Sequence, residues 1–153
     1  MPVSKYELLI RLAAEKCDDA AHAMNAARQR METARQRLQQ LAQFLADYLH
    51  RRIARGEQGM SSGQWVDYQQ FIERLQEAID LQRREVDSSQ IAYDKATAAW
   101  QEARKKLKAL EKLQEQEELR ARLREAKREQ KQTDEFAARI FRGHPRREDG
   151  GAG

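Results

Sequence analysis

The chain has 153 residues, of which 35% are charged and 7% aromatic, with a formal net charge of +4. That charged share exceeds the roughly 25% of ordinary globular domains, which argues against a thick layered core, and no apolar run approaches the roughly 18 residues of a membrane span. A start without an apolar signal-peptide core and a single cysteine, Cys17, fit a reducing cytosol.

Glycine and proline set the element boundaries. None falls between Val3 and Arg55 or between Gln64 and Arg142, whereas Gly56, Gly59 and Gly63 cluster once. The pattern predicts an all-α chain: a helix over about 3–55, a loop over 56–61 and a helix over about 62–141. Together these make one hairpin over 1–142, followed by a flexible tail over 143–153.

The first helix carries a strict heptad series. With Ile10 as an a position, the a residues are Ile10, Cys17, Met24, Met31, Leu38 and Leu45, and the d residues are Ala13, Ala20, Ala27, Ala34, Leu41 and Tyr48. An apolar repeat of this kind is the mark of a left-handed coiled-coil seam. Between Arg28 and Arg55 seven arginines face only Glu32 and Asp47, a basic stretch that reads either as a solvated helix face laced with i,i+4 pairs or as a docking face for an acidic protein partner.

At the loop, Gly56 is placed to follow the last turn as a left-handed C′ residue. Ser61 and Gln64 have the spacing of a capping box, and Met60 with Trp65 that of its hydrophobic staple. The second helix then repeats the heptads, with a residues Trp65, Ile72, Ile79, Val86, Tyr93, Trp100 and Leu107. Its d residues are Tyr68, Leu75, Gln82, Ser89, Ala96, Ala103 and Leu110.

So short a loop returns the chain antiparallel. Two registers set small residues against large ones, as dense packing requires. One opposes Ala34 to Ile79 and Tyr48 to Trp65, and the other shifts every pair by one heptad. Both leave the second helix longer than the first, about 120 Å against about 78 Å at 1.5 Å per residue. From Leu113 onward no partner helix remains. Glu111–Glu135 mixes seven basic with eight acidic residues, and Phe136, Ala137, Ile140 and Phe141 form a small apolar tip.

Sites for chemistry are not evident. His22, His50 and His144 are scattered, no Cys or His pair has zinc spacing, Cys17 sits in the seam, and no glycine-rich phosphate loop occurs. A two-helix hairpin also lacks a concave pocket of the usual size. The expectation is a non-enzymatic chain with no cofactor and no metal. Off the seam, Phe71 and Ala78 at g positions join Leu75 and Gln82 in one stripe. It reads either as a widening of the core or as a ridge for another protein.

Several stretches carry a resemblance. The run Trp65-Val66-Asp67-Tyr68-Gln69-Gln70-Phe71-Ile72, the segments Leu12-Ala13-Ala14-Glu15-Lys16 and Asp18-Asp19-Ala20-Ala21, and Asp134-Glu135-Phe136-Ala137 resemble the flagellar export protein FliJ family over nearly the whole chain. The resemblance implies a hairpin like the γ stalk of rotary ATP synthases, bound to the hexameric flagellar export ATPase and to the membrane export gate. It further implies that the chain escorts export chaperones that have lost their cargo, in the cytoplasm at the inner face of the membrane. Carried over by residue, the gate contact falls on Phe71, Leu75, Ala78 and Gln82. The overhanging tip with the facing N-terminal turn (Tyr6, Ile10, Asp134, Glu135, Phe136, Ala137 and Ile140) is the expected ATPase contact. Rival readings are a nucleic-acid-binding helical arm using the basic stretch, and a structural coiled-coil spacer. The hairpin itself is expected to be monomeric.

Overall fold

The computed structural model describes residues 5–56, 59 and 61–143. Two helices account for nearly all of them, α1 over Lys5–Gly56 and α2 over Ser62–Gly143, and there is no strand among the described residues. By their contacts the residues fall into two units, Arg11–Leu107 and a second formed from Met1–Ile10 with Lys108–Gly153.

Within Arg11–Leu107 the helices pair antiparallel. Arg30 meets Glu85, the carbonyl of Ala34 meets Gln82, Phe44 meets Phe71, and Tyr48 meets Tyr68. Partner numbers fall as α1 rises. Burial follows the heptads: the a and d residues of α1 from Ala13 to Tyr48 are all buried or half-buried, and the side chains between them are exposed apart from Ala14 and Ala21. The most deeply covered apolar residues are Met31, Ala34, Ile72, Leu75 and Ile79. Two helices cover only one stripe on each other, so most of the rest of the seam is half-buried.

The contacts fall between the two registers that the repeat allows. Tyr48 stacks on Tyr68 with ring centroids 5.5 Å apart, whereas those registers oppose it to Trp65 or Ile72. Gln82 reaches the carbonyl of Ala34 at 3.0 Å, between the Met31 and Leu38 to which they assign it. Polar seam residues are satisfied locally where they are most covered. Ser89 is fully buried, and its hydroxyl donates to the Val86 carbonyl at 2.8 Å, which removes the cost of an unpaired buried hydroxyl.

The start of α2 is a capping box. The Gln64 N–H donates to Ser61 Oγ, and the Ser61 N–H donates back to Gln64 Oε1, each at 3.2 Å. Both donors would otherwise be orphaned at the helix end. Met60, expected to staple against Trp65, lies outside the described residues, as does the tail from His144. At the end of α1 the structure departs from expectation. Gly56 is part of the helix, and the left-handed conformation belongs to Gly59, with φ of 70°.

In the second unit, Tyr6 and Ile10 are half-buried, with Lys5 Nζ 5.1 Å from the Tyr6 ring centroid. Residues 111–143 are exposed except for Gln114. This stretch of α2 carries local ion pairs, Arg124 with Glu117 at 3.8 Å and Arg128 with Glu125 at 4.0 Å. Such exposed pairs contribute between about 0 and 1 kcal/mol each.

Candidate protein-docking face

Antiparallel pairing of two heptad helices sets their g positions along one edge of the seam and their e positions along the other. On the g edge, Arg30 Nε donates to Glu85 Oε1 at 2.9 Å and Arg30 Nη2 to Glu85 Oε2 at 3.2 Å, a forked pair. Arg30 Nη2 also reaches Ser88 Oγ at 3.3 Å. The hydrogen bond from Arg30 holds the Glu85 carboxyl below the usual carboxylate range. Partial desolvation opposes that shift, and the charges of Arg30 and Arg37 add to it. The same bond raises Arg30.

Two heptads toward the loop the edge is aromatic. Phe71 meets Phe44 edge-on, centroids 6.2 Å apart, and tilts against Tyr48 at 4.6 Å. Both phenylalanines remain open to solvent, Phe44 at 51% and Phe71 at 37% exposure. Of the other residues expected on this face, Leu75 is buried in the seam and Ala78 is half-buried. Gln82 is half-buried by its bond to Ala34 and lines an open groove of about 410 Å³ with Arg37, Gln40, Leu41 and Phe44. Phe71 and the groove are therefore the accessible parts, and Leu75 belongs to the seam. Phe44 is missing from the sequence reading although it sits one residue before an a position, and Arg37, also at a g position, enters it only as part of the basic stretch and not of this face. Placing the two g columns side by side would have found them.

The basic stretch of α1 is largely engaged within the chain. Arg28 donates to Asn25 at 3.1 Å, Arg30 is paired with Glu85, and Arg35 donates to Gln90, whose amide in turn donates to Asp94 at 2.9 Å. The Arg52 guanidinium lies 3.4 Å from the Tyr68 ring centroid and 4.5 Å from that of Trp65, a cation–π arrangement.

The residues expected at the ATPase contact divide in two. Tyr6 and Ile10 are half-buried, whereas Asp134, Glu135, Phe136, Ala137 and Ile140 are all exposed. Phe136, Ile140 and Phe141 hold 65%, 48% and 75% of their surface in solvent. Among the described residues, no group of three or more His, Cys, Asp or Glu side chains could hold a metal ion, and no helix is long and apolar enough to cross a membrane.

Comparison with known proteins identifies a family. The family model described as "Flagellar FliJ protein" matches residues 3–146. The flagellar FliJ protein of Salmonella typhi is 32% identical over 139 residues, covering 91% of this chain and 95% of the relative. That of Escherichia coli strain K12 is 32% identical over 134 residues, covering 88% and 91%.

Proposed function

Because the chain belongs to the flagellar FliJ family, we propose that it is a non-enzymatic component of flagellar type III protein export with two protein-binding regions. The terminal segments (Tyr6 and Ile10 of α1, with Asp134 to Ile140 of α2) bind the hexameric export ATPase. The face around Phe71 docks on the cytoplasmic side of the membrane export gate, and the chain escorts export chaperones there. It works in the cytoplasm at the flagellar base, as a monomer between these partners.

The observation that carries the reading is the exposed aromatic pair Phe44–Phe71 on the edge of an otherwise charged coiled coil. Exposed rings at a seam edge cost hydration without adding core, and aromatics are the side chains that anchor protein interfaces. A nucleic-acid arm is less well supported, since such an arm needs free cationic density and Arg28, Arg30, Arg35 and Arg52 are engaged within the chain. The test is binding of the purified chain to the export ATPase and, separately, to the cytoplasmic portion of the gate protein. Phe71→Ala is expected to weaken gate binding by about tenfold or more, with ATPase binding and the helical circular-dichroism signal unchanged. Loss of the fold, or no loss of gate binding, would contradict the assignment of Phe71.

A further inference from the structure

The g edge can be followed heptad by heptad. Arg30 pairs with Glu85, and two heptads on Phe44 meets Phe71. The layer between them brings together Arg37 and Ala78, seven residues from each of those pairs. Where Glu85 answers Arg30, an alanine stands opposite Arg37. The exposed Arg37 makes no hydrogen bond or ion pair among the described residues, although its charge reaches Glu85. Arg74, one turn from both Phe71 and Ala78, is likewise exposed and unpaired. On this edge lies the groove of about 410 Å³ walled by Leu41 and Phe44, with Arg37, Gln40 and Gln82 around it. Of the carboxylates near this layer, Glu85 is held in the fork of Arg30, and Asp47 and Asp67 lie toward the loop, where Asp47 accepts a bond from Gln43 at 3.0 Å.

The opposite edge behaves differently. Its groove of about 340 Å³, lined by Ala42, Leu45, Gln76, Ile79, Asp80 and Arg83, has its cation answered internally, Arg83 lying 3.5 Å from Asp80.

We infer that α1 supplies half of the gate-docking face: Phe44 and the groove beside it receive an apolar side chain of the gate protein's cytoplasmic portion, and Arg37 receives a carboxylate of the same segment. The inference rests on the reading of the Phe71 face as the gate contact and adds the first helix to it. Successive g layers are about 10 Å apart at 1.5 Å per residue, so the segment carries its acid about that far from its apolar anchor. Charge complementarity selects this occupant. A basic or purely apolar segment would leave Arg37 covered and unpaired, which costs binding rather than adding to it.

The test is the affinity of the full-length chain for the purified cytoplasmic portion of the gate protein, with thermal midpoints of all variants recorded by circular dichroism. Phe44→Ala and Arg37→Glu are each expected to weaken binding about tenfold or more, as Phe71→Ala does. Arg37→Lys keeps most of the affinity, and Arg83→Glu on the opposite edge keeps all of it. Full affinity of Arg37→Glu and Phe44→Ala beside a weakened Phe71→Ala overturns the role of α1 and leaves the gate reading standing. Full affinity of all three overturns both. Should Phe44→Ala lower the thermal midpoint, the exposed Arg37 variants decide alone.

Discussion

Glu85 and Arg30 form the one forked ion pair across the helices among the described residues, and it has a pH signature. Because the Arg30 hydrogen bond lowers the Glu85 carboxyl below its unfolded range, the pair stabilises the folded chain above that range. This contribution is lost as pH falls through the folded value. The raised Arg30 adds no second window, since its ordinary value already lies far above neutrality. Glu85→Gln is therefore expected to lower the thermal midpoint slightly at pH 7. The gap should close in acid, where the native carboxyl is also neutral. A gap that persists unchanged in acid would mean that packing, not charge, distinguishes the two side chains. At the same scale, the site was partly legible. Phe71 stood out through its motif and its position off the seam. Leu75 belongs to the stripe by spacing, yet as a d residue it is buried. Phe44, and the place of Arg37 beside the Phe71 face, were hidden because reading one helix at a time does not bring g beside g.

The elements were legible almost throughout, because a heptad repeat fixes which face is buried before any partner is known. The a and d positions of the hairpin are covered in both helices, except Trp65, half of whose surface stays in solvent at the loop end beside Arg52. The capping box formed because Ser61 and Gln64 need only local geometry. Register was not legible: a slip of seven leaves the repeat unchanged, and setting each a residue directly opposite a d residue does not capture the axial offset, which the contacts place between the two registers so obtained. What breaks that degeneracy is specific, such as the Gln82 amide on the Ala34 carbonyl and the Tyr48–Tyr68 stack. Ala34, 3% exposed, is the most deeply covered apolar residue. Ala34→Leu should overpack this layer and cost about 1–3 kcal/mol in urea unfolding. Ala46→Leu, on an exposed position of the same helix, should change stability by less than about 0.5 kcal/mol. Equal effects of the two would show that the helices do not approach closely at Ala34.

At the scale of the whole molecule, the two proposed binding regions lie in different parts of the chain and should be separable. Residues from Thr133 onward are exposed as far as Gly143, and their apolar side chains Phe136, Ile140 and Phe141 have no core to serve. A lone helical segment of this length is marginal in water, so a partner that buries those side chains would gain both apolar area and order. Deleting residues from Thr133 onward is expected to abolish stimulation of ATP hydrolysis by the export ATPase, while gate binding through Phe71 persists. Undiminished stimulation would move the ATPase contact to the basic stretch of α1.

The central claim is that this chain acts in flagellar protein export by holding partners together. The most direct measurement is the amount of flagellar protein secreted by cells that lack the chain, with the native chain or Phe71→Ala returned at equal expression. Secretion should collapse without the chain, recover with the native sequence and recover only in part with Phe71→Ala. Normal secretion in cells lacking the chain would contradict the account.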